Sequence, residues 1–475
     1  MQVFRLLLAV LLASTTSAVC PAQRTAGPAR EFDASRAPKQ PTPLGRGVNF
    51  GNMLEAPFEG AWGLSVEERF FDVARDAGMA HIRLPVSWTH HAQASPPYAI
   101  DPLFMDRVEW CVDQALARGL KIIVNTHHYD ELNADPAAET PRALAIWSQI
   151  SERFADRPVD RVYFEVLNEP HGVFNDDPAL WDAYLTQALG VIRASNPDRW
   201  VLAGPVRWNS IAALSSFNPP PDERLILSVH HYEPFAFTHQ GASWVDPSPP
   251  VGTEWTGDAF TVAMPWDNWS WGTAVTPVAE GLSIDYQQGW AGLFFHRDTR
   301  VADARRVVFE VDRAMSLSVV VGNDDEQQAF PVQTDPGGGV QAVDLPPGFM
   351  PIDRVILQNA TPDAQQPWTL LSIRLESGPA SAAEPLMTTE RGAVEASMRL
   401  AARWGRERGL PVHLGEFGAY STADMDSRAR WTRAVRESAE RNGIAWAYWE
   451  LAAGFGFFDP QAGSVRAPLL DALTD

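Results

Sequence analysis

The chain has 475 residues, of which 45% are hydrophobic, and it carries 59 acidic against 38 basic residues for a formal net charge of −21. That length can bury one large core or two ordinary ones, and that charge excludes nucleic acid and anionic membrane surfaces as partners by repulsion. The 18 tryptophans are the other departure, because an indole fills a core and also stacks on a sugar ring.

The chain opens MQVFRLLLAVLLASTTSAVCPAQR. One arginine, an apolar run of about ten residues and a stretch of small residues predict a secretory signal peptide over 1–22, cleaved near Ala18 or Ala22. The run is too short for a membrane span, and no later stretch resembles one, so the expected location is the periplasm or the medium. Bulky Val19 before Cys20 makes a poor lipoprotein signal. Cleavage at Ala22 leaves Cys111 as the only thiol, so no intrachain disulfide is expected. Residues 23–43, rich in Pro, Ala, Arg and Lys without periodicity, read as a flexible linker.

From Gly45 short β-branched runs alternate with stretches of helical period. The predicted strands are GRGVNFGN, HIRLPVSW, KIIVNTHHY, VYFEVLNEP, WVLAGP, RLILSVHHYEP, PVHLGEFG and IAWAYWEL. Helices are predicted between them, including Val66–Ala77 with Ser65 as N-cap, Pro102–Arg118, Pro141–Arg157 and Ser427–Asn442. Eight such units without a glycine-rich phosphate loop after the first strand predict an α/β fold, a (β/α)8 TIM barrel. The rhythm breaks once, over 258–384, where alternating runs such as RVVFEVDR, LSVVVGN and WTLLSIRLES are separated by the turn sequences GNDDEQ, TDPGGG and LPPG. This spacing predicts an antiparallel β-sandwich inserted between strands 6 and 7. The barrel is thus expected over 44–257 and 385–475, with helix resuming at about Thr389.

Side chains at the C-terminal ends of barrel strands converge on one cleft. Those ends present Asn52 and Glu55, then Arg83, then His127 and His128, then Asn168 and Glu169, then His230 and Tyr232, and finally Glu416 and Trp449. Two carboxylates opposed in strand order, with arginine, tyrosine and histidine around them, suit glycoside hydrolysis: one must keep a proton for the leaving oxygen and the other must be ionised. Glu165 shares parity with Glu169 but lies about 13 Å deeper along the strand, where a structural pairing with a buried arginine is expected. Glu450 should face away from Trp449, and Glu233 sits in a loop. Adjacent histidines on a strand point to opposite faces, so THHY and VHHY are not natural chelates, and no H-E-x-x-H occurs. Neither metal nor cofactor is expected.

GRGVNFGNMLEAP, IRLPVSW, HHY, LNEPHG, HHYEPFAFTHQG, GEFGAY and AYWELAAGFGFFD together resemble the cellulase group of glycoside hydrolase family 5. The resemblance implies a retaining mechanism on internal β-1,4 linkages of glucans, with Glu169 as acid/base and Glu416 as nucleophile. It further implies that Asn168 binds the sugar 2-hydroxyl and that Arg83 and Tyr232 position Glu416. His127, His128 and His230 would line the reacting subsite above Trp449, and Asn52 and Glu55 would serve neighbouring sugars. Trp208 and Trp244 fall where a cleft wall or simple packing is expected. A β-mannanase, glucomannanase or xyloglucanase, or a barrel that only binds polysaccharide, stays open. The expected partner is a β-glucan, met by a monomer. The insert departs from the family and resembles a jelly-roll carbohydrate-binding module. Trp266, Trp269 and Trp271 are its stacking candidates, although Trp269, Trp271 and Trp290 read preferentially as sandwich core.

Overall fold

The computed structural model describes residues 44–378 and 382–475. The predicted signal peptide and linker lie outside the described residues. Eight parallel strands close into a barrel in the order β1 Arg46–Asn49, β2 His81–Leu84, β3 Lys121–Asn125, β4 Val162–Glu165, β5 Val201–Ala203, β6 Leu225–His230, β7 Val412–Glu416 and β8 Ala445–Tyr448. Residues such as Val48, Ile82, Leu84, Val124, Phe164 and Leu227 face the surrounding helices, within the larger apolar core. The opposite parity fills the barrel: Ile123, Tyr163, Leu202 and Ile226 form an apolar floor, and Asn49, Arg83, Asn125, Glu165 and Ser228, all buried, provide a polar layer. Polar groups can be buried here because each meets a partner.

Three barrel helices start at an Asp–Pro step. Asp101, Asp135 and Asp177 accept hydrogen bonds from Leu103 N, Ala138 N and Ala179 N, and the following proline occupies the first helical position. The third predicted helix therefore starts earlier than expected, at Pro136, and Pro141 lies inside it. Ser65 is not an N-cap. That helix spans Glu68–Asp76, because Glu59 accepts the Val66 N–H at 2.7 Å and Arg107 donates to Val66 O at 2.6 Å, which holds this segment out of the helix.

The insert is two antiparallel sheets with their own core. One sheet orders Gly339–Asp344, Ala304–Val311, Trp368–Ser377, Gly281–Tyr286 and Thr273–Val278; the other orders Gln327–Gln333, Ser316–Gly322, Ile352–Asn359, Gly292–Val301 and Asp267–Asn268. Leu293, Phe295, Val307, Phe309, Leu357 and Trp368 lie between them. Trp266 is in this core at 2% exposure, which corrects its reading as a stacking residue. Trp269, Trp271 and Trp290 reverse the opposite expectation, being 55%, 38% and 55% exposed. The indole of Trp271 covers Gly292, where a Cβ would come within 2.4 Å of the ring, and Trp269 stacks on His296 at 3.7 Å.

Chain entry and exit are paired. Phe260–Val262 and Met387–Thr389 form an antiparallel ribbon, and the helix Glu390–Arg408 follows at once, capped by Thr389. The Glu390 carboxylate accepts Gly257 N at 2.8 Å and Thr256 N at 3.1 Å. The sandwich is thereby attached through a braced double strand.

Candidate active site

Asn168 and Glu169 follow β4. The regular ladder ends at Glu165, although Asn168 N still donates to Thr126 O at 2.8 Å. The backbone then turns at Glu169, whose φ of 51° lies in the left-handed region, an uncommon conformation for glutamate that clusters at functional sites. His171 Nδ1 holds the Glu169 carbonyl at 2.7 Å, and His171 N donates to Asn133 Oδ1 at 3.0 Å. His171 is thus a direct neighbour of Glu169, to which sequence reasoning assigned no role.

Glu416 reaches the same mouth through an irregularity. Register runs His413↔Ser228 and Leu414↔Val229 but then Glu416↔His230, leaving Gly415 unpaired as a bulge. Strict alternation would turn Glu416 toward the helices, as it does Leu414; the extra residue returns it to the interior. Only glycine fits, since a Cβ at Gly415 would lie 2.9 Å from His230 Nε2.

Arg83 ties the layer together. Its Nε donates to Glu165 at 2.6 Å, one terminal nitrogen donates to Asn49 Oδ1 at 2.9 Å and Glu416 Oε1 at 2.7 Å, and the other donates to Asn168 Oδ1 at 2.6 Å. Asn49 is fixed by donating to Gly415 O at 2.9 Å. Ser228 and Asn125 donate to Glu165 at 2.8 and 3.3 Å, so Glu165 serves as the counter-ion beneath the site. Burial would raise its pKa, but the charge and hydrogen bond of Arg83 hold it below the usual range.

Tyr232 donates to Glu416 Oε2 at 3.0 Å. His230 Nδ1 lies 2.7 Å from Glu169 Oε1 and 3.7 Å from Glu416 Oε2. One ligating atom from each of Glu169, His230 and Glu416 fits within a 4.8 Å span. Burial raises Glu169 to about 7, against the charges of Arg83 and His171. Burial also raises Glu416, where His230, Arg83 and the Tyr232 hydroxyl oppose it. The difference lies in the donors: Glu416 has an arginine and a phenol, which favour its anion, while Glu169 has the imidazole of His230, which burial keeps neutral with a pKa of about 4.

The trio is also the place where a cation would sit among the described residues. Its donors are otherwise engaged: the guanidinium of Arg83 already meets Glu416, and its charge opposes a metal there.

The other predicted residues surround this centre. Trp449 lies parallel to His127, with 5.6 Å between ring centres, and beneath Gly51, where a Cβ would be 2.8 Å from the indole. Asn168 Nδ2 approaches His127 Nε2 at 3.4 Å. His128 is exposed and edge-on to Trp62. Asn52 and Glu55 both line the cleft; Glu55 is 1% exposed and accepts the Asn52 and Met53 amides, so it also braces the loop. Glu450 is fully buried and accepts the Ala453 and Phe455 amides. Trp208 and Trp244 are 53% and 57% exposed and stand in the cleft wall; Trp208 stacks on His171 at 5.4 Å.

A family model described as cellulase (glycosyl hydrolase family 5) matches residues 44–269. A solved structure named endoglucanase aligns with a TM-score of 0.62 and 30% identity, covering 91% of this chain and 97% of that one. The chain belongs to glycoside hydrolase family 5. Another member, Thermotoga maritima Cel5A, solved in complex with mannotriose, aligns at 28% identity and TM-score 0.61, covering 93% and 99% of the two chains. Endoglucanase H of Acetivibrio thermocellus is 41% identical over 197 residues, 42% of this chain and 22% of that protein. Endoglucanase 3 of Fibrobacter succinogenes is 28% identical over 223 residues, 43% of this chain and 33% of that protein. The chain thus spans a third or less of the length of these two curated family relatives.

Proposed function

We propose that this family 5 member is a retaining glycoside hydrolase that cleaves internal β-1,4 linkages of glucans, with Glu416 as nucleophile and Glu169 as acid/base. The observation that carries the reading is that a carboxylate oxygen of Glu169 and one of Glu416 lie within 4.8 Å of each other beside His230. Retaining enzymes keep the pair about 5–5.5 Å apart, whereas inverting enzymes leave about 6.5–9.5 Å for water. Glu416, oriented by Arg83 and Tyr232, attacks the anomeric carbon, while Glu169 gives its proton to the departing oxygen. Glu169 then takes a proton from the water that releases the sugar from Glu416. Asn168, held by Arg83, meets the sugar 2-hydroxyl, and Trp449 supplies the stacking floor.

The test is the anomeric configuration of the first product from β-1,4-glucan, followed by NMR with and without excess chelator. Retention in both runs supports the reading; inversion sinks the double displacement, and loss of activity with chelator sinks the metal-free site. Mannan is the second substrate to examine, because a structural relative was solved with mannotriose. Cleavage of mannan alone would replace the glucan assignment.

The protonation states predict a pH profile. Glu169 must carry a proton in free enzyme, and with its pKa raised to about 7 it does so below that pH. kcat/KM is expected to fall as pH rises through about 7, and a descending limb already at pH 4 to 5 would refute Glu169 as the acid.

The N-terminal pattern supports export, and no described helix is long and apolar enough to cross a membrane. The exposed indoles of Trp269, Trp271 and Trp290 support a polysaccharide-holding face on the sandwich. Replacing Trp269 and Trp271 together by alanine is expected to weaken retention on a glucan-containing gel by about tenfold. Unchanged mobility would remove that role.

A further inference from the structure

The cleft does not end at the barrel. A cavity of about 1780 Å³ contains both catalytic carboxylates and continues to the sandwich, where Asp267, Asn268, Val275 and Pro277 line it. Across the gap from that edge stand Trp208, Glu233 and Phe235 of the barrel loops. Direction along the cleft follows from chemistry. The attacked sugar lies over Glu416 and Trp449, so the departing oxygen must face Glu169. The leaving chain therefore passes toward the loops after β4, β5 and β6, which is where the sandwich stands.

That edge is fixed in place. Arg207, next to Trp208, forms an ion pair with Asp298 of the sandwich at 2.7 Å. Arg207, Trp208 and Asn209 all have φ between 56° and 59°, and the turn is held by Asn175 Oδ1, which accepts Arg207 N at 2.7 Å. On the inserted side, Met264 contacts Ser397 of the following helix at 3.0 Å. Glu233 and Asp267 line the same cavity, and burial, with the charge of Asp267, raises the Glu233 carboxyl above its usual range. Asn268 Oδ1 accepts Ser270 N at 3.1 Å and Ser270 Oγ at 2.5 Å, which leaves its amide N–H groups as donors. A carboxylate, an amide and two exposed aromatic rings are the groups that hold a pyranose: hydroxyls bond to the first two, and the ring face stacks on the others.

We propose that Asp267 and Asn268 of the sandwich, with Trp208 and Phe235 of the barrel, form a leaving-side subsite for a β-linked glucan chain beyond the scissile bond. The proposal rests on the hydrolase reading above and names part of the binding surface that the insert adds to it. The sandwich is accordingly a wall of the cleft as well as a holder of polymer.

The test compares kcat/KM on a β-1,4-gluco-hexasaccharide with kcat/KM on an aryl cellobioside, whose phenol is too short to reach the sandwich. For the Asp267→Ala, Asn268→Ala double variant the ratio of the two is expected to fall by about tenfold, through KM on the hexasaccharide. Trp208→Ala should shift the ratio in the same direction. A ratio equal to that of the unaltered enzyme, or a parallel loss on both substrates, overturns the subsite. An unaltered enzyme that cleaves neither substrate overturns the hydrolase reading itself, so the two failures are distinct.

Discussion

Replacing Glu416 by alanine is expected to lower kcat on β-1,4-glucan by about 10⁴-fold or more, equivalent to at least about 5.5 kcal/mol of transition-state stabilisation. The loss is large because no neighbour can take its place. Glu165 is buried beneath Arg83, and Glu169 is committed to the proton. Replacing Glu169 by alanine should cost less, about 10²–10⁴-fold, and the cost should depend on the leaving group. A dinitrophenyl glycoside needs no proton from the enzyme, so its first step should survive. Added azide can then enter where the Glu169 carboxylate stood, giving a β-glycosyl azide from the Glu169 variant and an α-glycosyl azide from the Glu416 variant. Exchange of those two products between the variants would reverse the assigned roles.

Arg83→Met is expected to lower both activity and stability. Its guanidinium is fully buried and meets Glu165 and Glu416 at 2.6 and 2.7 Å. Removing one partner of a buried ion pair costs about 3–5 kcal/mol, because the remaining charge is left without water or counter-ion. A drop in melting temperature of about 5–10 °C should follow. A double-mutant cycle separates the two effects. Adding Glu165→Leu to Arg83→Met should recover at least half of the lost stability, since the uncompensated carboxylate is gone. Activity should stay low, because Asn168 and Glu416 still lack their donor. Recovery of activity together with stability would reduce Arg83 to a structural role.

The strand-end rule made most of the site legible in the sequence. Arg83, His127, Asn168, Glu169, His230, Tyr232 and Glu416 do meet in one mouth. What the rule could not show was how they are held. Asn49 and Ser228 sit among apolar neighbours within strands, and their partners come from strands distant in sequence. The bulge at Gly415 is invisible to alternation, which by itself would have turned Glu416 outward. In the insert, the strands Thr273–Val278 and Gln327–Gln333 escaped notice because both are sheet edges, rich in exposed or polar side chains and each containing a proline. Tryptophan exposure differs from expectation for a related reason: Trp269, Trp271 and Trp290 fall between the strands of the structure, in connections whose packing periodicity cannot report.

The ribbon at the base of the insert bears on the order in which this chain assembles. Barrel closure must join β6, which ends at His230, to β7, which begins at Val412, and contacts so remote in sequence are slow to form. Pairing of Phe260–Val262 with Met387–Thr389 brings the two ends of the insert together, so the seam then closes across a much shorter effective loop. The sandwich has its own core, and its strand pairings span shorter stretches of chain than the β6–β7 seam, which gives it the means to collapse first. In pulsed hydrogen exchange during refolding, the ribbon amides should gain protection before those of β6 and β7. Simultaneous protection would mean that barrel and insert fold as a single cooperative unit.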